Sequence, residues 1–327
     1  MSEQSRPESP ILGVDIGGTK VAVGLVDREG TILTQSRKPM VANGTAEAGL
    51  QAVAAAIDSM TAAADPYGGF HSIGICAPGP LDPKTGVVLN PPNLPCWRNF
   101  PLAEKIVEMY HLPVKVDNDG NAAALAETRW GAARGFHYVF YATIGTGIGT
   151  GIVLDGHIYH GSTGAAGEGG HVSIDYRGPR CKCGKLGCIE ILAAGPAIGL
   201  RARNKLKDNP RRSAILDLAN GDVTAITSET VGKAYAAGDP LAREVLQETV
   251  DVIVPWLGNI VDLLDPDVLV MGGGVAAMLK PFFDDIKNRL PSWCVNPHAS
   301  DIPLLMAHYG ADAGIAGGAA LCSVDLH

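Results

Sequence analysis

The chain is predicted to be an α/β protein made of two related halves, and three observations predict it. Residues 11–38 alternate in the two-residue period of strands around a turn at Arg28-Glu29-Gly30. A second run from Tyr138, YVFYATIGTGIGTGIVLDG, repeats that logic: β-branched strands flank a glycine-rich turn, a faint internal repeat. The length of 327 residues exceeds the size of one core, which makes two domains of about 100–200 residues the starting expectation.

The elements follow in order. Residues 11–38 are predicted to form three antiparallel strands. Residues 47–64 are alanine-rich with apolar residues at helical spacing, behind Asn43-Gly44-Thr45, whose polar side chains suit an N-cap. A strand at 71–76, a Pro/Gly-rich loop over 77–99, a helix at 102–110 and a strand at 114–117 complete the first half. After the second strand pair and a cysteine loop, residues 193–237 read as mostly helical, with connections at Asp208-Asn209-Pro210 and Asn220-Gly221-Asp222. Asp239 caps, and Pro240 opens, a long helix running to about Leu264. A short buried strand at 267–271 ends in Gly272-Gly273-Gly274, and helices at 281–290 and 310–321 close the chain.

Composition narrows the function classes. An apolar content of 46% with 18% charged residues is that of a globular enzyme, and a net charge of −8 argues against nucleic acid as the main partner, because neutralising phosphates needs a basic face. Apolar runs such as 252–264 are broken by Pro255, Asn259 and Asp262, so no segment is expected to span a bilayer. The N-terminal MSEQSRPESP is polar and lacks the apolar core of a secretory signal, which gives a cytoplasmic, reducing compartment as the expectation. The helix from Pro240 offers Val252, Trp256 and Ile260 either to a dimer or to the chain's own core.

The segment His171 to Glu190, HVSIDYRGPRCKCGKLGCIE, carries the strongest chemical signal. Cys181, Cys183 and Cys188 stand at C-x-C-x4-C spacing, with Gly184 and Gly187 letting the backbone fold back, and His171 is the nearest residue able to supply a fourth, nitrogen ligand. That set suits tetrahedral zinc. A disulfide to Cys188 or three free thiols are the alternatives, and a reducing compartment favours metal. Cys76, Cys96, Cys294 and Cys322 read as ordinary small hydrophobes.

Asp15-Ile16-Gly17-Gly18-Thr19-Lys20 lies in a hairpin turn, which rules against a Rossmann fingerprint or Walker loop, since both need a following helix. Its glycines could cradle phosphate and Asp15 a hydrated Mg2+; a plain turn needing positive φ at glycine is the alternative. In Thr143-Ile144-Gly145-Thr146-Gly147-Ile148-Gly149-Thr150-Gly151 every second residue is glycine, which leaves one face of the ribbon bare for phosphates, or for a tight strand crossing. With Gly272, Gly273 and Gly274 these loops suggest a nucleoside triphosphate in a cleft between two halves. In Val116-Asp117-Asn118-Asp119-Gly120-Asn121, at the junction of a strand and a helix, capping would account for one polar residue. The others fit Asp119 as a general base and Asn118 as a residue orienting the acceptor hydroxyl.

These motifs, in order, are LGVDIGGTK, APGPLD at 77–82, NLPCW at 93–97, DNDGNAA, TIGTGIGTG, GEGGH, CKCGKLGCIE and MGGGVA. Through them nearly the whole chain resembles the ROK family of sugar kinases, within the actin/hexokinase-like ATPase fold of two α/β domains with a cleft between them. The resemblance implies a flexible tail over 1–10, a small domain of 11–118 plus 309–327, and a large domain of 119–308 with the zinc loop. It implies transfer of phosphate from ATP, with Mg2+, to the 6-hydroxyl of a hexose, above all glucose, with Asp119 as base. Gly79, Asn93, Asn118, Glu168, His171 and Glu190 would line the sugar pocket. His171, Cys181, Cys183 and Cys188 would hold a structural zinc. Asp15, Gly17, Gly18, Thr19, Lys20, Gly145, Thr146, Gly147, Gly149 and Gly272–Gly274 would contact the nucleotide.

The resemblance also implies a homodimer or higher homo-oligomer, and the ATP-type glycine loops favour ATP over polyphosphate. Departures are Gly120 for alanine, Cys96 for glycine, and Gly169 for a larger apolar residue, the last expected to loosen the pocket and blur the choice of hexose. N-acetylmannosamine, fructose or allose are the alternative acceptors. A sugar-responsive repressor of the same family would carry a helix-turn-helix domain ahead of the sugar fold, whereas this sequence enters its first strand at Ile11.

Overall fold

A computed structural model describes residues 9–323. The tail expected over residues 1–10 lies, for residues 1–8, outside the described residues. Ser9 and Pro10 are held in place: the Ser9 hydroxyl donates to the Tyr67 carbonyl at 3.0 Å, and the Pro10 carbonyl accepts from the His71 N–H at 3.2 Å.

The first sheet has the order Ile32–Pro39, Lys20–Val26, Ile11–Ile16, Ile73–Ala77, Val114–Asn118. The first three strands are the antiparallel set expected, and the last two run parallel to Ile11–Ile16. In that register Asp15 lies beside Cys76 and Cys76 beside Asp117. The carboxyl edge of the sheet therefore presents Asp15 at one strand and Asn118-Asp119 at another, the edge where open α/β sheets place ligands.

The helix Ala46–Asp58 begins where expected, with Thr45 accepting the Ala48 N–H at 3.1 Å. It breaks at Ser59 and Met60, where the Ser59 hydroxyl donates to the Ala56 carbonyl at 2.6 Å and competes with the helix ladder, and resumes as the short helix Thr61–Ala64, so the expected span to Ala64 is interrupted. On the other face the helix Ala313–Ser323 lies directly on the strands. A side chain at Gly13 would stand 2.0 Å from the Ile315 carbonyl oxygen, and one at Gly74 would stand 1.7 Å from that of Gly318. Glycine at both is what permits backbone-to-backbone packing.

The second sheet has the order His157–Ile158, Ile148–Leu154, Tyr138–Ile144, Val268–Gly272, Leu304–Met306. Val268–Gly272 pairs in parallel with both Tyr138–Ile144 and Leu304–Met306. Leu304–Met306 was not legible in the sequence: it has three half-buried residues and no alternation. Around this sheet lie the helices Gly195–Asp208, Ser228–Ala236 and Pro240–Leu264. Asp239 caps the last as expected, accepting the Ala242 N–H at 2.8 Å. Trp256 and Ile260 on that helix are buried, with Trp256 edge-on to Phe140 at 5.8 Å, so they serve the core and not a dimer.

The described residues form two compact units, one of residues 9–137, 151–167 and 308–323, the other of 138–150 and 168–307. The helix Asp119–Arg129, expected in the large domain, belongs with the first unit. It packs against Ala313–Ser323, where a side chain at Gly317 would come 2.8 Å from the Ala122 backbone. Segment 151–167 joins it because Gly151 lies equally close to Gly120, 2.5 Å from its carbonyl oxygen to a Cβ at 151.

Candidate active site

In the first unit the strand Val114–Asn118 ends at Asn118 and the helix Asp119–Arg129 starts at the next residue. Asn118 is the N-cap: its Oδ1 accepts the Asn121 N–H at 2.8 Å, a contact worth about 1 kcal/mol. The cap uses only the side-chain oxygen. Asp117 is buried and accepts from the Asn118 N–H at 2.7 Å and Asn121 Nδ2 at 3.0 Å, while His160 Nε2 stands 2.6 Å from its other oxygen. Asp119 keeps a solvent-exposed face and accepts the Gly120 N–H at 3.0 Å. Desolvation by the surrounding protein holds its carboxyl above the ordinary carboxylate range, against the opposing pull of that N–H.

Asp15 is pushed up to about 6, first by burial and then by the charge of Asp119, with Lys20 and Arg37 pulling the other way. Its folded pKa thus lies above the unfolded value of 3.8, so its contribution to stability is full below that value and is lost as pH rises through about 6. Asp15→Asn should therefore raise Tm at pH 8 and leave it unchanged at pH 4 in metal-free buffer. Allowing for partial exposure, the gain is about 1 kcal/mol. Melting curves of both proteins at the two pH values test this, and an equal Tm at pH 8 would contradict it.

The glycine loops divide into two kinds. Gly17 and Gly18 do not adopt positive φ, so a turn conformation does not explain them. Gly18 is glycine because a side chain would stand 2.8 Å from the Asn93 carbonyl oxygen, which brings the Asn93 loop onto the hairpin turn. A Cβ at Gly147 would meet Glu190 Oε2 at 2.7 Å, and one at Gly272 the Tyr141 hydroxyl at 2.9 Å. Gly273 has a φ of +86° and abuts the Ile144 backbone. Backbone packing accounts for Gly18 and Gly273, while Gly147 and Gly272 are opposed by the ends of the Glu190 and Tyr141 side chains. Among the described residues only Gly79, Gly145 and Gly274 combine ordinary φ with no atom within 4 Å of the side-chain position beyond their chain neighbours. Nothing in the protein demands glycine there, so they mark where a ligand would approach backbone.

The second unit holds the cysteine loop. The ligand atoms of His171, Cys181, Cys183 and Cys188 lie within 4.8 Å of one another. Cys181 Sγ is 3.7 Å from His171 Nδ1, and Cys183 Sγ is 3.6 Å from Cys188 Sγ. Tetrahedral zinc with ordinary Zn–S and Zn–N bonds sets such edges at about 3.6–3.8 Å, so the donor set fits. Burial and the neighbouring thiols push Cys188 up to about 12, crowding that a bound cation would reverse. The chain then turns into the short helix Ile189–Ala193, where Glu190 Oε2 accepts the Ile148 N–H at 3.0 Å. The end of the cysteine loop is thereby tied to the glycine ribbon.

The same unit contains a cavity of about 960 Å³ lined by Gly145, Thr146, Gly195, Tyr235 and Gly274 among others. Gly145 and Gly274, two of the three open glycines, thus line one space. Gly195, whose N–H donates to the Gly145 carbonyl at 2.8 Å, opens the helix Gly195–Asp208 at its rim. The helix Ser228–Ala236 forms the far wall and is started by a Thr227–Thr230 capping box.

The family model for ROK matches residues 11–324. The chain belongs to the ROK family. It is 34% identical to a glucokinase of Streptomyces coelicolor over 313 residues, covering 95% of this chain and 96% of that one. It is 30% identical to a glucokinase of Thermotoga maritima over 316 residues, covering 96% and 98%. The crystal structure of a ROK family glucokinase from Streptomyces griseus in complex with glucose and AMPPNP superposes with a TM-score of 0.80 at 35% identity, covering 95% of this chain and 98% of that chain. The fold is accordingly the actin/hexokinase-like ATPase fold, and this ROK protein is an ATP-dependent sugar kinase.

Some cavity-lining and structural residues were not legible in the sequence. Glu229 and Tyr235 on the amphipathic helix Ser228–Ala236, with its N-cap Thr227, line the large cavity and belong to no motif. Glu127, fully buried, accepts the backbone N–H groups of Ala132, His308 and Tyr309 at 2.8, 2.8 and 3.0 Å and pins the start of the last helical segment. Its only sequence signal is a charge in an alanine-rich helix. Gly169, expected to loosen the pocket, leaves no gap. A Cβ there would stand 2.8 Å from Thr150 Oγ1 and 3.1 Å from its methyl, so threonine already fills the space.

Proposed function

We propose that the protein phosphorylates glucose at its 6-hydroxyl with ATP. The observation that carries this reading is Asp119, a solvent-facing carboxylate of raised pKa at a strand-to-helix junction beside Asn118. In this reading Asp119 takes the proton of the 6-hydroxyl as its oxygen attacks the γ-phosphorus. The new O–P bond forms while the bond to the β-bridging oxygen breaks and ADP leaves. The Asn118 amide orients the acceptor, and the carboxylates of Glu168 and Glu190 accept hydrogen bonds from the other hydroxyls. A misplaced epimer leaves a carboxylate unpaired, which is how such a ring discriminates.

His171 faces the sulfurs with Nδ1, which leaves Nε2 for a sugar hydroxyl. Zinc, held by His171, Cys181, Cys183 and Cys188, would fix the loop that carries these readers, and Mg2+ near Asp15 would offset charge on the ATP phosphates. Gly79 and Asn93 carry the remaining sugar contacts that membership of the family implies. The cavity beside Gly145 and Gly274 takes the nucleotide. Gly145→Ala and Gly274→Ala should fold with unchanged Tm, since no atom lies within 4 Å of the new Cβ, yet raise the KM for ATP about ten-fold. Unchanged KM for ATP in both would remove the nucleotide from that cavity.

An ADP-release assay over glucose, N-acetylmannosamine, fructose and allose tests the function. Glucose should give the highest kcat/KM. Absence of turnover with every sugar would contradict the kinase reading, and preference for another hexose would correct the acceptor alone.

A further inference from the structure

Resting on the hexose-kinase reading, we propose that Thr150 and Trp256 are positioning residues for sugar recognition. They clamp the peptide at Gly169, which separates Glu168 from the turn that ends at His171. Gly169 is buried, and both of its backbone polar groups are taken by side chains from distant elements. Its N–H donates to Thr150 Oγ1 at 2.8 Å, and its carbonyl accepts from Trp256 Nε1 at 3.1 Å. Thr150 belongs to the strand Ile148–Leu154 and Trp256 to the helix Pro240–Leu264, and both are buried.

The turn itself is short. The His171 N–H donates to the Glu168 carbonyl at 3.0 Å, the Val172 N–H reaches the Gly169 carbonyl at 3.2 Å, and Gly170 lies so close to the Ile148 carbonyl that a Cβ would stand 2.0 Å from it. Glu168 is exposed, with nothing among the described hydrogen bonds holding its side chain, so where its carboxylate can reach is set by its backbone. The clamp fixes that backbone in two directions: the strand holds one side and the indole the other.

A packing role and a positioning role make opposite demands at Thr150. Packing against Gly169 is served as well by valine as by threonine. Only the hydroxyl serves the buried N–H, whose loss of an acceptor lets the turn shift to find another. At Trp256 phenylalanine keeps the ring against Phe140 and loses the N–H.

The test is steady-state kinetics for hexose and for ATP, zinc content and Tm in Thr150→Val, Thr150→Ser and Trp256→Phe. Thr150→Val should raise the hexose KM roughly ten- to hundred-fold, with ATP KM and zinc content unchanged, because displacing a substrate-positioning group by a fraction of an ångström has effects of that order. Thr150→Ser, which keeps the hydroxyl and loses the methyl, should retain the wild-type hexose KM even where Tm falls. Trp256→Phe should shift hexose KM in the same direction as Thr150→Val, and it carries the test if Thr150→Val does not fold. Wild-type hexose KM in Thr150→Val and Trp256→Phe, or equal impairment of the valine and serine variants, overturns the clamp while leaving the kinase reading intact. A wild-type protein that neither phosphorylates nor binds any hexose overturns both.

Discussion

Asp119→Asn is expected to lower kcat by about 100- to 10,000-fold, the usual contribution of a positioned general base, with glucose binding retained. Asparagine matches aspartate in size and can still accept the Gly120 N–H at the head of the helix, so the local fold stands and only the proton acceptor is lost. The wild-type pH profile carries a linked expectation. Desolvation by the surrounding protein raises the Asp119 carboxyl, the protonated form cannot act as base, and activity should therefore fall with falling pH at a point above the ordinary carboxylate range. Coupled assays and calorimetric titration with glucose separate the two effects. Full activity in the variant would contradict the assignment of the base.

Loss of the proposed zinc is expected to have the second largest effect. Cys188→Ala, or exhaustive chelation, should cost about 3–5 kcal/mol of stability, the range for losing a structural metal or a buried network. Cys188 is completely buried beneath His171, whose carbonyl lies 3.4 Å from its sulfur. Three thiols and an imidazole lie within 4.8 Å of one another and could hold a metal ion, while the remaining cysteines are scattered. Because His171 and Glu190 bracket this loop, hexose KM should rise together with the fall in Tm. Metal analysis, melting curves and glucose titration on the same preparations test the link. Native protein without stoichiometric zinc, or a Cys188→Ala variant with wild-type glucose affinity, would contradict it.

What the sequence displayed was local chemistry. Asp239 before Pro240 marks a helix start by its own capping geometry, the C-x-C-x4-C spacing lets three sulfurs meet, and the polar run after Val116 marks a strand that ends in function. What it hid was set by partners far along the chain. Gly145 and Gly147 look alike in the ribbon. One faces open space and the other faces Glu190, and only the fold distinguishes them. Gly169 read as a missing side chain, because the Thr150 that fills its place lies on a strand and the Trp256 that holds it on a helix. The helix after Asn118 read as the start of the large domain, since nothing local announces that Ala122 packs against Gly317. Asp117, an undistinguished acid in sequence, turns out to organise the backbone of the Asn118 segment through Asn121 and His160.

The central claim is that this ROK protein moves the γ-phosphoryl group of ATP to O6 of glucose. Product analysis by phosphorus NMR after incubation with ATP, Mg2+ and glucose tests it most directly. Glucose 6-phosphate and ADP are expected in equal amounts, both formed at least about a hundred-fold more slowly with Asp119→Asn. ADP formed without sugar phosphate, or phosphate on another hydroxyl of glucose, would contradict it.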